Sequence, residues 1–108
     1  MRFPRILAIK WPEMAFEIIL APEAVRDMER LRANLRAEVR DAIESHLRNR
    51  PTKTSKARIK RLRGVSRPQF RLRVHDVRVF YDVVDTEVHI LAIVSKEQAE
   101  AWLREAGK

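Results

Sequence analysis

The apolar positions of this 108-residue chain change their spacing along it, and each change marks an element. Phe16-Glu17-Ile18-Ile19-Leu20 is a short β-prone run and predicts a first strand. Pro22 and Glu23 then suit the first turn of a helix. Val25, Met28 and Leu31 recur three residues apart, and Leu35, Val39, Ala42, Ile43 and Leu47 carry the apolar face onward. Charged residues fill the other side, so this segment is amphipathic and helical. It is long for one helix in so small a domain. Asn34 is an acceptable N-cap, so the pattern predicts two antiparallel helices broken near Ala33-Asn34, with one long helix as the alternative. Pro51 closes the segment, because a residue before proline is pushed out of the α region.

Beyond the polar, basic loop Thr52 to Lys56 the period shortens. Ala57 to Arg63 reads as a strand ending at Gly64, followed by a loop containing Pro68. Gln69 to Val74 alternates strictly. Val77 to Val84 and Glu87 to Val94 are β-rich, joined by the short turns His75-Asp76 and Asp85-Thr86. Glu97 to Glu105 reads as a final helix, with Ser95 as N-cap, Ala99, Trp102 and Leu103 apolar, and Gly107 past the end. The order β-α-α-β-β-β-β-α predicts a small single α+β domain. Its mostly antiparallel sheet packs against an N-terminal helical hairpin, and a C-terminal helix follows. Residues 1–13 show no sustained period and are set apart as an N-terminal extension. The domain is taken as 14–108, and Met14 is an alternative start.

Two-residue turns fix which residues lie opposite one another. The first hairpin pairs Val74 with Val77, Arg73 with Arg78, Leu72 with Val79, Arg71 with Phe80 and Phe70 with Tyr81. Phe70, Leu72, Val74, Val77, Val79, Tyr81 and Val83 then share an apolar face, which must take the helices. Arg71, Arg73, Arg78 and Phe80 share the other. The second hairpin sets Val83 opposite Val88, Asp82 opposite His89, Tyr81 opposite Ile90 and Phe80 opposite Leu91.

Charge sharpens this picture. The chain carries a formal net charge of +8, with 23 Lys or Arg against 15 Asp or Glu. From Arg48 to Arg78 twelve basic residues accompany one acid, Asp76, a net +11, while the remainder is −3. A solvated charge run is the bland reading. One sign alone costs self-repulsion that folding does not require, so the band is read as an anion site. Arg73 beside Arg78 is a like-charge cross-strand pair, which an anion between them would relieve. Arginine suits phosphate because its planar fork donates two hydrogen bonds at once. Phe80 offers a surface on which a base could stack. The competing reading has Asp82, a helix or the terminal segment neutralise these arginines.

Several classes are excluded. The chain has no cysteine, so disulfide scaffolds, Cys-ligated zinc and thiol catalysis are out. No His/Asp/Glu spacing marks a metal site, no Gly-rich loop exists to cradle a phosphate, and no cofactor is implied. No apolar run is long enough to span a membrane and no signal-peptide pattern opens the chain, so the expected location is cytoplasmic.

Arg61-Leu62-Arg63-Gly64, and then Phe70-Arg71-Leu72-Arg73-Val74-His75-Asp76-Val77-Arg78-Val79-Phe80-Tyr81-Asp82-Val83, resemble the RelE/ParE superfamily of type II toxins. The pattern there is roughly K-L-x-G, a spacer, then Y-R-x-R-x-G-x-Y-R-V-x-Y-x-V. The resemblance covers Met14 to about Leu103. It implies a toxin whose cognate antitoxin is its protein partner. RelE-like members cleave mRNA, usually in the ribosomal A site, and ParE-like members inhibit DNA gyrase without RNA chemistry.

The expectation drawn here is a metal-independent endoribonuclease acting on mRNA at the ribosome. The alternatives are a ParE-like gyrase inhibitor and a non-catalytic RNA-binding or co-repressor subunit. In the RelE-like enzymes, residues matching Arg71, Arg73 and Arg78 surround the scissile phosphate. A C-terminal Arg and Tyr complete that site, and here Lys96 and Trp102 stand in their places. Lys96 keeps charge without a fork. Trp102 can stack, but it has no ionisable hydroxyl, and its competing reading is helix packing. His75 stands where the family often has Gly. Attack by the RNA 2′-hydroxyl on its adjacent phosphate needs a base, an acid and cations. Arg71, Arg73 and Arg78 supply the cations. His89 is the candidate for proton transfer, and its competing reading is a sheet histidine hydrogen-bonded to Asp82. Lys53, Lys56, Lys60, Arg61, Arg63 and Arg67 are expected to dock on RNA backbone, with Phe80 and Trp102 as stacking surfaces.

Overall fold

The structure, a computed structural model, describes residues 15–106. The extension 1–13, Met14 and the Gly107 helix stop lie outside the described residues. Strand β1 (Glu17–Leu20) leads through Ala21 into helix α1 (Pro22–Arg30). Helix α2 (Ala33–Leu47) follows after a two-residue break. Then come β2 (Ile59–Arg61), β3 (Phe70–Val74), β4 (Val77–Val84), β5 (Glu87–Ser95) and α3 (Lys96–Ala106). The five strands form one sheet in the order β1-β5-β4-β3-β2. Only β1 runs parallel to its neighbour, β5, and the other pairs are antiparallel. The α+β class and the element order are those the pattern predicts. Strand β2 is shorter than the Ala57 to Arg63 expected for it.

The helices break at Leu31-Arg32, not at Ala33-Asn34. Asn34 sits inside α2, where its Oδ1 accepts from the adjacent Leu35 N–H at 2.9 Å. The device at the break is Arg36. Its Nε donates to the Met28 carbonyl at 3.0 Å, and its Nη2 donates to those of Glu29 at 3.2 Å and Leu31 at 2.7 Å. These belong to the end of α1, where helical carbonyls have no partner of their own. One guanidinium therefore finishes the first helix from the first turn of the next.

The hairpin α1–α2 packs on the apolar sheet face. Ala24, Val39, Ile43 and Leu47 meet Phe70, Leu72, Val79, Tyr81, Val88 and Ile90, all buried. The Tyr81 ring stacks on Phe70 with centroids 5.4 Å apart, and its hydroxyl donates to the Pro51 carbonyl at 2.6 Å. Burial pushes the Tyr81 pKa upward, so the group stays a protonated donor.

The strand β1 covers only half of β5, because Pro22 turns the chain into α1. Asp27 of α1 compensates. Its buried Oδ2 accepts the Ile93 N–H of β5 at 2.9 Å, a bond that a longer β1 would otherwise have supplied. The register of β4 with β5 shifts at Phe80/Tyr81: Tyr81 faces Ile90 as expected, but Phe80 faces Ala92, not Leu91. Ile90 and Ile93 are both buried in the core, although an odd spacing would send them to opposite faces of a regular strand. The bulge at Leu91 resolves that conflict.

Candidate nucleic-acid interface

The first hairpin has the register predicted for it: Arg73 lies opposite Arg78 and Arg71 opposite Phe80. Lys60 of β2 extends the second row, facing Arg71 from the other side. Three strands thus bring Lys60, Arg71, Arg73 and Arg78 onto the face turned away from α1 and α2. Burial and the charges of Arg78 and Arg73 hold the Arg71 pKa below its ordinary value. Its Nε is a buried donor with no hydrogen-bond partner. An unmatched donor inside a cluster of like charges is what an incoming anion would satisfy.

Arg78 is less free than its position implied. It is only 9% exposed, and its Nη1 donates to the carbonyls of His75 at 2.9 Å and Val77 at 3.1 Å. Its guanidinium therefore braces the β3–β4 turn while adding charge to the face. That turn places His75 at φ 52°, in the left-handed region that favours glycine. Lys96, the first residue of α3, donates its N–H to the Asp76 carbonyl at 2.6 Å, so it stands at the same end of the sheet as Arg73 and Arg78.

Other expected contacts are corrected. Phe80 is fully buried: α3 crosses this face and Trp102 stacks on its ring, with centroids 4.9 Å apart and planes 6° from parallel. Neither face of Phe80 is open to a base. Trp102 packs, as its competing reading had it, and its Nε1 donates to Glu23 Oε2 at 2.9 Å. Arg61 shares the apolar-face register of Phe70, with its guanidinium 5.2 Å from that ring's centroid, so it does not join the arginine face.

Asp82 accepts from Arg67 Nε at 2.8 Å and from the Gln69 N–H at 2.7 Å. It neutralises Arg67 and leaves Arg71, Arg73 and Arg78 without a carboxylate among the described residues. His89 lies opposite Asp82 but bonds Glu87 Oε1 at 2.8 Å, not Asp82. It is four positions along β4 from the level of Arg78, about 13 Å at the rise of a strand. His89 and the arginines are therefore not assembled around one reacting atom. Lys53, Lys56 and Arg63 are exposed on the loops flanking β2.

Asp27 and Arg36, which no apolar period singles out, hold the scaffold. Asp27 shares its helical stripe with Ala24 and Leu31, and an acid on an apolar stripe is a signal that a buried donor awaits it. Among the described residues, no helix is long and apolar enough to cross a membrane.

Fold and site together describe a small α+β protein with a cationic sheet face, and its fold is shared with several solved toxins. The RelE chain of a RelB–RelE antitoxin–toxin complex from Methanococcus jannaschii aligns with a TM-score of 0.62 at 18% identity, covering 78% of this chain and 96% of that one. The toxin–antitoxin complex RelBE2 from Mycobacterium tuberculosis aligns at 0.63 and 24% identity, covering 75% and 98%. The isolated RelE toxin of E. coli aligns at 0.59 and 18%, covering 84% and 99%. No curated protein sequence matches this chain. The family described as the ParE toxin of the type II toxin-antitoxin system, parDE, matches residues 18–100. The chain belongs to this family of type II toxins, within the RelE/ParE superfamily.

Proposed function

We propose that this toxin cleaves mRNA at the ribosome without a metal ion, using the arginine face as its phosphate site. The observation that carries the proposal is the buried, unpartnered Nε of Arg71 beside Arg73 and Arg78. Arg71 and Arg73 would grip the scissile phosphate and stabilise the charge that builds on it. Arg78 would contribute charge and hold the turn, and Lys96 would close the site from the start of α3. Lys53, Lys56, Lys60 and Arg63 would track the RNA backbone. A cognate antitoxin would silence the toxin, as the toxin–antitoxin complexes among its structural relatives suggest by analogy. Its cellular setting would be the cytoplasm.

A second reading is inhibition of DNA gyrase, in the manner of ParE-like toxins. Two observations favour it. Trp102 is committed to Phe80 and carries no hydroxyl, and His89 is tied to Glu87 away from the arginines. The face thus binds a phosphate more readily than it moves a proton. Induction of the chain without its partner separates the two. Position-specific mRNA breaks mapped by primer extension, with plasmid supercoiling intact, support the nuclease. Growth arrest with whole mRNA and altered supercoiling supports the gyrase inhibitor.

A further inference from the structure

At the C-terminal end of α2 lies a cleft of about 350 Å³ that belongs to neither the core nor the arginine face. Its walls include Ser45, His46, Arg50, Lys53, Ser55 and Arg58, and no carboxylate lines it. Its volume lies within the range of about 300–1,000 Å³ usual for small-ligand sites. Arg50, Lys53 and Arg58 form no ion pair among the described residues. Gathering three uncompensated cations in a concave site costs self-repulsion, and nothing in the packing requires it.

The donor set is suited to one ligand chemistry. Two guanidiniums can each bind an anion's oxygens in pairs, and Lys53 adds a point charge. Ser55 Oγ already accepts the N–H groups of Arg58 at 3.0 Å and Ile59 at 3.2 Å, which leaves its hydroxyl proton to be donated. Burial and the charge of Arg58 hold the His46 pKa below its ordinary value, so a bound anion would relieve the same stress felt at Arg71. Two carbonyls just beyond the helix end are already engaged. The carbonyl of Arg48 accepts from the Phe16 N–H at 2.7 Å, and that of Arg50 accepts from the Lys53 N–H at 3.3 Å.

A neighbouring cleft shows the contrast. It shares His46 and Arg58, reaches Arg73, and is lined by Glu38 and Asp41 as well. With both signs present it has no preference for an anion. Arg58 therefore sits between an acid-free pocket and a mixed trough that leads toward the arginine face.

We propose that the α2 cleft is a second phosphate-binding site, which takes a backbone phosphodiester of a nucleic-acid strand at a distance from Arg71 and Arg73. This deepens the reading of the protein as an RNA-directed toxin and rests on it. An acidic peptide fits less well, because forked donors and a hydroxyl converging on one small cleft match a tetrahedral anion better than spaced carboxylates.

The test is an NMR titration of the full-length chain with inorganic phosphate, a ten-nucleotide single-stranded RNA and polyglutamate. The proposal expects saturable shifts at the Ser55 amide and the His46 ring with phosphate and RNA. In the double variant Arg50→Gln, Arg58→Gln, RNA affinity should fall about threefold to tenfold. The log–log salt slope should become shallower by about 1, for the one phosphate contact that the cleft supplies. The spectrum itself reports whether the variant is folded, and His46→Gln provides a milder second probe. RNA shifts at Arg71 and Arg73 with none at Ser55 and His46 would overturn the cleft and spare the arginine face. No RNA shift in either place overturns both. Shifts at Ser55 and His46 with polyglutamate alone make the cleft a peptide surface and overturn the proposal.

Discussion

Strands β3 and β4 present two faces whose cross-strand pairs obey opposite rules. On one, Leu72 faces Val79 and Phe70 faces Tyr81, and every pair is buried against the helical hairpin. On the other, Arg73 faces Arg78 and Arg71 faces Phe80. The first face is what an alternating strand needs in order to fold. The second carries a pair, Arg73 and Arg78, that weakens a sheet, since like charges opposite each other repel. Packing and charge therefore lie on opposite sides of the same ten or so residues, and α3 marks the border by capping Phe80 with Trp102.

Substitution on the apolar side should produce the largest stability effect. Leu72→Ala removes a fully buried side chain on β3 and should cost about 2–5 kcal/mol, read as a lower urea midpoint. If that midpoint barely moved, the two faces would not differ as described. Asp27→Ala comes next. It orphans the Ile93 N–H in the interior and should cost about 1–3 kcal/mol, whereas Asp27→Asn keeps an acceptor and should cost less. Hydrogen exchange at Ile93 would report the loss directly.

On the cationic side Arg73→Ala should change stability by no more than about 0.5 kcal/mol, because the side chain is exposed and pairs only with a like charge. Its effect should appear instead in RNA binding, as weaker affinity and a salt slope shallower by about 1. A large stability loss would mean that the arginines serve folding.

The smallest effect concerns pH. Burial and the charge of Arg58 lower the His46 pKa in the fold from the usual histidine value of 6.5, so the unfolded chain takes up this proton first as pH falls. The stability contributed by keeping the imidazole neutral is present above that value and is lost as pH drops through the lower, folded pKa. His46→Gln should flatten this part of the stability curve, and a phosphate salt should do so in the wild type.

The hairpin face was legible in the sequence because two-residue turns and strict alternation leave one register that buries Phe70, Leu72, Val79 and Tyr81 together. The bulge was not. Detecting it requires noticing that Ile90 and Ile93 both belong inside, which alternation alone forbids. The helix break falls two residues before the position that a cap at Asn34 predicts, because the chain uses the side chain of Arg36 instead. The burial of Phe80 is not legible, because a period-two pattern says only which face a residue is on. It does not say whether a later helix covers that face. The charges of Arg71 and Arg73 could be read from the sequence, but the burial of Arg78 and its bonds to the turn carbonyls could not. His89 fell on the right face yet found Glu87, two residues away on its own strand, instead of Asp82 across the ladder.

The most direct test of the central claim compares wild type with Arg73→Ala for mRNA cleavage in a purified translation reaction, at equal concentrations of folded protein. The account predicts position-specific breaks from the wild type and their loss in Arg73→Ala, with matching urea midpoints. Equal cleavage by both proteins, or whole mRNA with both, would contradict it.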